Sequence, residues 1–433
     1  MNPKTIQIRK ISQPITGSID IPADKSISHR ALIFNSIAKG SAKIRNLLLS
    51  EDVLCTKNIL KQLGITIIDH EDCIEVIGGD FKQPEGDLYC GNSGTTMRLM
   101  LGLLAPHDIS VRLTGDESLS KRPMRRVTTY LKGWNVCCQG ADGDAANYAP
   151  IQLKGNSNIS FFVQKIPIAS AQVKSALALV ALQSNGGLIS GGGSSRDHTE
   201  RMIQAMGGRC ISNQCGDISV EPSQLQALDI TIPSDISSAS FFIALALLVP
   251  ASKIFLPNIN LNPTRRGFLD TLLEMEADIT IENQRMEGAE EVGDVTVRYS
   301  LLKGSQIPEK RIATMIDEIP ILSVLASQAY GKTSVTGAED LKYKESDRLM
   351  AIGRLISAFG MDIRLLDDGF EIEGPQKASR GTINSQGDHR IAMSGIILAS
   401  IAEGESKIEN LACIATSFPS FLQKYKELRG DIE

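Results

Sequence analysis

Residues 234–249 read SDISSASFFIALALLV, and this stretch decides the architecture that we predict. It opens with hydroxyl and carboxylate side chains and continues as an unbroken apolar run from Phe241 to Val249. A helix on a protein surface keeps a polar face, and the apolar run offers none. We therefore predict a helix that is buried on nearly all sides, which other helices and strands must surround.

Five other stretches share this arrangement, in which a polar turn leads into an apolar helical pattern. The six stretches recur at intervals of about seventy residues, which indicates an internal repeat. They begin near Ser26, Ser93, Ser170, Ser237, Asp317 and Asp388. Hydroxyl and carboxylate residues at these starts are typical of helix N-caps, so each stretch is predicted to begin as a capped helix.

The segments between these helices predict one recurrent module. A short strand and a second, amphipathic helix follow the buried helix, and alternating apolar segments come after them, which makes a βαβαββ unit. Second helices are predicted at residues 51–64, 122–134, 198–208 and 345–360. Six modules give an α/β (α+β) fold of two similar globular domains, each with three modules, buried helices and outer sheets.

The domain limits follow from this count. The first domain is predicted at residues 24–235 and the second at residues 1–23 plus 236–433, with hinge crossings near 22–24 and 233–237. The N-terminal residues would then pair as strands with the second half. A conventional α/β protein, in which helices and strands also alternate, remains the alternative interpretation of the periodicity.

Buried helices that begin together would create a site for anions. Each helix N-terminus carries free N–H groups and about half a positive charge. Basic residues stand at or near four of the six starts, and a further group lies in KYKESDRL: Lys25, Arg30, Arg98, Lys121, Arg122, Arg125, Arg390, Lys344 and Arg348. A single such residue is most simply a surface charge with an apolar stem. Its recurrence at equivalent positions favours an anion site.

Composition excludes several other functions. The net charge of −5 over 433 residues provides no general attraction for nucleic acid. The longest apolar run has less than half of the ~20 residues that span a bilayer, and no signal-peptide pattern is present, so we expect a cytoplasmic location. Eight cysteines without a CxxC pair and five histidines without four-residue spacing predict reduced thiols, no metal site and no cofactor.

The glycine-rich stretch Gly91–Thr96 (GNSGTT) is compatible with a phosphate-cradling turn or with a simple helix cap. It is not a nucleophile elbow, because Thr95 stands where that motif needs glycine. Nor does Gly331-Lys332-Thr333 complete a P-loop, since Ala326 occupies the required glycine position. Nucleotide binding therefore has no support.

Six motifs resemble the 5-enolpyruvylshikimate-3-phosphate synthase family in their order and spacing: DKSISHRAL, GNSGTTMRL, SLSKRPM, SAQVKSAL, KESDRL and DHRIAM. The resemblance implies an enolpyruvyl transferase-like fold, an inside-out α/β barrel whose two domains close over a cleft. It also implies transfer of the enolpyruvyl group of phosphoenolpyruvate to the 5-hydroxyl of shikimate 3-phosphate. The reaction proceeds by addition and elimination through a tetrahedral intermediate and releases phosphate.

The same resemblance implies the biological setting. The reaction belongs to the shikimate pathway to chorismate and the aromatic amino acids, and the herbicide glyphosate competes for the phosphoenolpyruvate pocket. The only partners implied are the two small-molecule substrates, without nucleic acid or membrane, and the protein is expected to be a monomer. Residues 24–235 would form the side that binds shikimate phosphate.

Roles for single residues are also implied by the resemblance. Asp317, Glu345 and Lys25 are the catalytic candidates, with Asp317 acting on the 5-hydroxyl and the choice between Lys25 and Glu345 as main proton donor left open. The implied ligands of shikimate 3-phosphate are Lys25, Ser26, Arg30, Ser170, Ala171, Gln172, Ser195, Asp317 and Lys344. The implied ligands of phosphoenolpyruvate are Lys25, Gly94, Arg122, Gln172, Arg348 and Arg390.

Some of these assignments have simpler alternatives. Asp317 could merely cap its helix beside Glu318, and Ser195 could belong to a glycine-rich turn with no ligand. The sequence also departs from the family pattern: Thr416 stands where many members have lysine, and Asp340 where some have asparagine.

Two other functions remain as alternatives. The sister enolpyruvyl transferase that acts on UDP-N-acetylglucosamine typically uses a loop cysteine, and residues 115–124 contain none. A non-catalytic anion-binding homologue would be expected to lose the acid and base residues, which this chain retains.

Overall fold

The structure is a computed structural model that describes residues 4–167, 169–193 and 195–430. The chain divides into two compact units. Unit A comprises Ala23–Ile232 with Glu287–Glu290, and unit B comprises residues 4–22, 233–286 and 291–430. A four-residue piece from the second half of the chain thus belongs to unit A.

Most strands are short, and the longest contains ten residues. Two strands of unit B precede unit A in the sequence: β1 (Thr5–Arg9) and β2 (Thr16–Ser18). The strands of unit A are β3 (Ser41–Arg45), β4 (Thr66–Asp69), β5 (Cys73–Ile77), β6 (Leu88–Tyr89), β7 (Ser110–Thr114), β8 (Cys137–Gln139), β9 (Ile151–Lys154), β10 (Phe162–Lys165), β11 (Gly187–Ser190), β12 (Cys210–Ser212), β13 (Ile218–Val220) and β14 (Ile230–Thr231). The later strands are β15 (Lys253–Asn260), β16 (Asp278–Glu287), β17 (Glu290–Arg298), β18 (Gln306–Ile307), β19 (Gly331–Val335), β20 (Arg364–Leu366), β21 (Gly369–Gly374), β22 (Thr382–Asn384) and β23 (Glu405–Glu409).

Along the chain, one or two amphipathic or short helices separate each buried helix from the next. In unit A they are α1 (Lys25–Ser36), α2 (Glu51–Gln62), α3 (Gly94–Leu104), α4 (Glu117–Ser120), α5 (Arg125–Gly133), α6 (Ala171–Leu182) and α7 (His198–Ala205). In unit B they are α8 (Ile236–Leu248), α9 (Gly267–Glu274), α10 (Glu309–Ile312), α11 (Ile319–Gln328), α12 (Arg348–Ala358), α13 (His389–Ala399) and α14 (Phe421–Arg429). Two 3-10 helices cover Glu339–Tyr343 and Leu411–Thr416.

The described strands form six open sheets, three in each unit. Those of unit A are β14-β3-β5-β4, β6-β7-β9-β8 and β10-β11-β13-β12, and those of unit B are β16-β17-β15-β2, β18-β19-β21-β20 and β1-β23-β22. In β6-β7-β9-β8 the first pair is parallel and the other two pairs are antiparallel. The same pattern recurs in β10-β11-β13-β12 and β18-β19-β21-β20. This recurrence confirms the predicted module and the α/β fold class.

Strands near the points at which the chain passes from one unit to the other complete three of the sheets. In unit B, β1 pairs antiparallel with β23, and β2 pairs parallel with β15. This is the pairing of N-terminal residues with the second half that the sequence predicts. In unit A, β14 pairs parallel with β3. That the crossings act as a hinge stays a prediction.

The buried helices begin at side-chain caps, as predicted, with one exception. The capping residues are Asp24, Ser93, Ser170, Asp235 and Asp388, each of which accepts a backbone N–H two or three residues further on. The exception is α11, whose N-cap residue Glu318 makes no capping hydrogen bond. The prediction of a side-chain cap is therefore wrong for that helix, in which Pro320 at the second position already removes one N–H that would need a partner.

Burial of the inner helices provides the core of each unit. Every residue of α8 from Ile236 to Leu247 is buried, and α8 packs against α11 and α13. In unit A, α3 packs against α1 and α6. Since burying one Leu or Phe side chain contributes about 1.5–3 kcal/mol, these helices hold their units together through apolar contact. Within the described residues, no helix is long and apolar enough to cross a membrane.

Two outer helices begin later than predicted. The predicted start at residue 122 is wrong, because α5 begins at Arg125 and Pro123 disfavours a helical backbone at the residue before it. The predicted start at residue 345 is also wrong, because Asp347 caps α12 by accepting the N–H of Met350. Glu345 consequently lies before the helix, and its carboxylate accepts a hydrogen bond from the first helical residue, Arg348.

Candidate active site

Unit A brings the N-terminal ends of α1, α3 and α6 together through side-chain hydrogen bonds. Gln172 of α6 accepts from Arg98 of α3 at 2.6 Å and donates to Thr95 Oγ1 of α3 at 2.9 Å. Arg30 of α1 donates to Ser175 Oγ of α6 at 2.6 Å. Three helix ends with free N–H groups and positive partial charge thus lie in one region. This confirms, for unit A, that the buried helices begin together.

Lys25, the first residue of α1, forms an ion pair with Asp52 of α2. Lys25 Nζ lies 3.0 Å from Asp52 Oδ2, and the side chains are 17% and 9% exposed. Thr96 of α3 donates to the backbone carbonyl of Asp52 at 3.3 Å, which ties this pair to a third helix. Asp52 was not predictable from the sequence as a partner of Lys25, because it lies 27 residues from Lys25 and in none of the six motifs.

Arg30 is buried within a set of hydroxyl and carbonyl acceptors. Its Nε donates to Thr199 Oγ1 at 2.8 Å, and its Nη1 donates to the carbonyl of Ser26 at 3.0 Å. Burial lowers the pKa of the Arg30 guanidinium to about 10, although the charge of Glu200 acts in the opposite direction. The Ser26 hydroxyl accepts from Arg196 at 3.4 Å. Ser26 and Arg30 are therefore held together at the start of α1.

Gly94, the first residue of α3, lies against two guanidinium groups. A Cβ at this position would stand 2.8 Å from Arg98 Nη1 and 3.4 Å from Arg122 Nη1. Arg122 is almost fully buried and donates to Asn92 Oδ1 and to Ser118 Oγ. The absence of a side chain at Gly94 is what allows both arginines to approach the start of the helix.

Arg98 belongs to this cluster although it is missing from the ligands implied by the resemblance. Its guanidinium donates to Gln172 Oε1 and, at 3.0 Å, to the carbonyl of Pro123. The signal that identifies it is its place in GNSGTTMRL, where it counts among the basic residues near helix starts. In this structure Arg98 connects Gln172 to the segment that carries Arg122.

Ser170, Ala171 and Ser195 come together at the start of α6. Ser170 caps this helix by accepting the N–H of Val173, and Ala171 is the first helical residue. Lys174 of the same helix donates to the carbonyl of Ser195 at 3.2 Å. Ser195 is buried, and its hydroxyl has no hydrogen-bond partner among the described residues. Ser195 also follows a glycine-rich turn in which Gly191 and Gly193 have positive φ. Ser195 therefore lies both beside this turn and close to α6.

Unit B gathers its predicted residues around the carboxylate of Asp317. Asp317 Oδ1 lies 3.0 Å from Arg348 Nη1, 3.5 Å from Lys344 Nζ and 3.9 Å from Arg390 Nε. Glu345 Oε2 accepts from Arg348 Nη2. The structure thus brings all five predicted residues of this unit into one charge cluster.

Arg348 is the centre of that cluster. It is buried, and its Nε donates to Asp388 Oδ2 at 2.8 Å. Burial by itself lowers the pKa of Arg348, but Asp388, Glu345 and Asp317 together raise it above the ordinary value for arginine. The guanidinium is therefore a permanent positive charge. Asp388, predicted from the sequence only as a helix start, both caps α13 and belongs to this cluster.

The interpretation of Asp317 as a helix cap is not supported by the geometry. The N-cap position of α11 belongs to Glu318, and the Asp317 carboxylate faces the cations described above. Glu318 is fully buried, and its carboxylate oxygens make no hydrogen bond to described residues, although Arg390 Nη1 lies 3.9 Å away. Of the two neighbouring acids, Asp317 is the one that combines partial exposure with close cationic neighbours.

The two departures from the family pattern lie in 3-10 helices. Thr416 ends the helix Leu411–Thr416, and its hydroxyl donates to the carbonyl of Cys413 at 2.7 Å and lies 3.5 Å from His389 Nδ1. Asp340 lies in the helix Glu339–Tyr343, and Lys344 follows the end of this helix. A neutral hydroxyl group therefore takes the position at which many members carry a lysine.

Metal-ligating residues are not clustered in the part of the chain that the structure describes. No group of three or more His, Cys, Asp or Glu side chains there is arranged to hold a metal ion. In unit B, the carboxylates of Asp317, Asp388 and Glu318 instead lie near cations: Lys344, Arg348 and Arg390.

The repeated modules and the charged helix starts define the class of protein. The solved structure of the enolpyruvyl transferase NikO from Streptomyces tendae superimposes with a TM-score of 0.76, covering 98% of this chain and 96% of that chain. At 14% sequence identity this likeness concerns the fold alone. The protein therefore has the enolpyruvyl transferase fold.

Closer relatives identify the family. EPSP synthase from Acinetobacter baumannii is 35% identical, with a TM-score of 0.87 and 98% of each chain covered. The 3-phosphoshikimate 1-carboxyvinyltransferases of Caldicellulosiruptor saccharolyticus and Streptococcus pyogenes serotype M2 are 43% and 40% identical, covering 94% and 99% of this chain and 96% and 100% of theirs. The sequence profile of EPSP synthase (3-phosphoshikimate 1-carboxyvinyltransferase) matches residues 9–425. The chain belongs to the EPSP synthase family, which confirms the resemblance seen in the sequence.

Proposed function

We propose that this chain transfers the enolpyruvyl group of phosphoenolpyruvate to the 5-hydroxyl of shikimate 3-phosphate, with release of inorganic phosphate. The observation that carries the proposal, together with family membership, is the Asp317 carboxylate held by Lys344 and Arg348 and partly open to solvent. A carboxylate in this position accepts a proton, and the cations around it suit anionic substrates.

Asp317 is the proposed base for the attacking hydroxyl. It removes the 5-hydroxyl proton while the oxygen forms a bond to C2 of phosphoenolpyruvate. Because Arg348 and Lys344 bind the same carboxylate oxygen, Oδ1, they fix the orientation of the group. General base catalysis of this kind contributes typically about 10²–10⁴-fold in rate.

Lys25 and Glu345 are the proposed acids for the enol carbon. Addition places a proton on the methylene carbon of phosphoenolpyruvate and gives a tetrahedral intermediate. Elimination removes a proton from the resulting methyl group, and phosphate leaves with the C–O bonding electrons. Lys25 is paired with Asp52 and Glu345 with Arg348, so each candidate has a partner that orients it.

The remaining residues are proposed as ligands of the two substrates. In unit A, Ser195 and the starts of α1 and α6 offer hydroxyl, backbone and amide groups to shikimate 3-phosphate: Lys25, Ser26, Arg30, Ser170, Ala171, Gln172 and Ser195. In unit B, Lys344 and Asp317 serve the same substrate. The proposed ligands of phosphoenolpyruvate are Lys25, Gly94, Arg122, Gln172, Arg348 and Arg390, because guanidinium forks suit phosphate and carboxylate groups.

The setting that we propose is the shikimate pathway to aromatic amino acids, with glyphosate as a competitor of phosphoenolpyruvate. We further propose a cytoplasmic monomer that needs no cofactor. Transfer to UDP-N-acetylglucosamine is not favoured, because residues 115–124 contain no cysteine and the matching family profile is that of EPSP synthase.

Phosphate release tests the proposal directly. Purified protein is mixed with phosphoenolpyruvate and either shikimate 3-phosphate or UDP-N-acetylglucosamine, and free phosphate is followed over time. Release is expected only with shikimate 3-phosphate, and Asp317→Asn should lower kcat by about two to four orders of magnitude. Release only with UDP-N-acetylglucosamine would overturn the assignment.

A further inference from the structure

The first turn of α7 buries three consecutive polar side chains. His198, Thr199 and Glu200 are each at most 3% exposed. Successive residues of a helix point about 100° apart, so the three side chains face different neighbours. A short helix normally keeps one polar face in water, and this turn does not. Its polar groups therefore depend on partners inside unit A, and Glu200 Oε2 is the one side-chain oxygen of this turn that has no hydrogen-bond partner among the described residues.

Each of these side chains contacts a different part of unit A. His198 Nδ1 lies 2.7 Å from Glu290 Oε1, in the four-residue piece that joins this unit. Thr199 Oγ1 accepts from Arg30. Glu200 Oε1 lies 2.5 Å from Lys174 Nζ. The turn thus contacts Arg30 of α1 and Lys174 of α6.

The pair Lys174–Glu200 reaches one of those ligands directly. Besides its contact with Glu200, the Lys174 ammonium donates to the carbonyl of Ser195 at 3.2 Å. Lysine has a flexible four-carbon stem, and a fixed carboxylate partner limits the directions in which its donors point. Added bulk at Gly192 would also meet Lys174, with Cδ 2.9 Å from an ideal Cβ. Gly192, three residues before Ser195 in the sequence, is thus packed on this lysine.

Stability alone does not account for such a pair. Removing two charges from water is costly, and replacing a buried ion pair by apolar residues of similar volume is often neutral or stabilising. Both side chains are nearly inaccessible, at 2% and 4% exposed. What the pair provides, and apolar residues cannot provide, is a directed hydrogen bond to the Ser195 carbonyl.

We propose that Glu200 is a positioning residue for the phosphate group of shikimate 3-phosphate. It acts through Lys174, which fixes the backbone of Ser195 and hence the place of the Ser195 hydroxyl. This inference rests on the proposed function, which assigns Ser195 to that phosphate. Glu200 itself does not touch the substrate.

The test compares a phosphorylated and an unphosphorylated ligand. Glu200→Gln keeps the shape of the side chain and removes its charge, and calorimetric titration gives Kd for shikimate 3-phosphate and for shikimate. We expect Kd for shikimate 3-phosphate to rise about tenfold while that for shikimate changes less than twofold. Glu221→Gln is the matched control, because Glu221 pairs with Arg209 on the surface of the same unit. It should change neither constant.

A double variant separates positioning from folding. Lys174→Met/Glu200→Leu removes both charges, should keep the melting temperature of the wild type, and should still bind shikimate 3-phosphate about tenfold more weakly. Recovery of wild-type affinity in this variant, or equal weakening for both ligands in Glu200→Gln, would overturn the proposal.

Ser195→Ala distinguishes this inference from the proposed function. If this variant weakens binding of shikimate 3-phosphate and Glu200→Gln does not, the positioning role is wrong and the assignment of Ser195 stands. If Ser195→Ala binds like the wild type, the assignment of Ser195 is wrong and the positioning role falls with it.

Discussion

Replacing Gly94 by alanine would place a methyl group against two guanidinium groups. The ideal Cβ lies 2.8 Å from Arg98 Nη1, which is closer than carbon and nitrogen can pack, and 3.4 Å from Arg122 Nη1. Arg98 cannot simply turn away, because it donates to Gln172 at 2.6 Å and to the carbonyl of Pro123 at 3.0 Å. At least one of these hydrogen bonds must be lost or lengthened.

The magnitude follows from that loss. A hydrogen bond to a charged group contributes about 1.5–3 kcal/mol. At 1.36 kcal/mol for each factor of ten, this corresponds to a change of roughly 10- to 160-fold in a binding constant. Because Arg122 and Gln172 are proposed ligands of phosphoenolpyruvate, we expect the KM for phosphoenolpyruvate to rise by about the lower end of this range. Glyphosate, the bulkier ligand, should lose more affinity, since a tight site discriminates against added volume.

Steady-state kinetics measure both effects in one series. The rate of phosphate release is recorded against phosphoenolpyruvate concentration at several glyphosate concentrations, for wild type, Gly94→Ala and Gly133→Ala. Gly133, at the end of α5 in the same unit, is the matched control, because no atom lies within 4 Å of an added Cβ there. We expect Gly133→Ala to behave like the wild type.

Two results would refute this reasoning. If the KM for phosphoenolpyruvate and the glyphosate inhibition constant rise by the same factor, Gly94 does not discriminate between the two ligands. If neither constant changes, the start of α3 does not contact phosphoenolpyruvate, and the proposed site in unit A is misplaced.

Three further predictions concern charge, metal and pH. Arg122→Lys keeps the charge but loses the planar fork, so the KM for phosphoenolpyruvate should rise by about tenfold or more in the same assay, and unchanged kinetics would place Arg122 outside the site. Activity should survive EDTA, because guanidinium and ammonium groups can neutralise the substrate phosphates; a loss that magnesium restores would contradict this. Burial, with the charges of Lys25 and Arg30, holds the pKa of His29 well below 6.5. The unfolded chain therefore binds one more proton below pH 6.5, so the free energy of unfolding should fall as the pH drops, by up to about 1.4 kcal/mol per pH unit. His29→Gln should flatten this slope in urea unfolding at pH 5–7, and an unchanged slope would mean that His29 is protonated in the folded protein.

The buried helices were predictable because their signals are local. A capping hydrogen bond joins residues two or three positions apart; for example, the N–H of Thr96 donates to Ser93 Oγ. The apolar run that follows predicts burial even when the elements that pack against the helix are unknown. Where a predicted helix start was wrong, another local feature explains the difference. Pro123 disfavours a helical start at Arg122, so α5 begins at Arg125, and Asp347 caps α12, so α12 begins at Arg348.

The members of the candidate site were predictable only as a set of residue types and family positions. Basic residues at helix starts indicated anion binding, and the six motifs supplied the roles. The sequence did not identify the charged side chains that hold these residues, such as Asp52 beside Lys25. A charged partner can come from any part of the chain, and sequence periodicity does not indicate which distant residue it is.

The sequence alone was enough to predict six apolar helices, five of which have the expected side-chain cap, together with their module and the cations near the helix starts, because capping, periodicity and charge act over a few residues. Tertiary structure alone decided that Asp317 faces Lys344 and Arg348 instead of capping α11, and that Lys174 joins Glu200 to the backbone of Ser195. Those arrangements depend on the buried charges of Arg348, Lys174 and Glu200, because a charge in a low-dielectric interior is tolerated only when packing brings distant partners within hydrogen-bond distance.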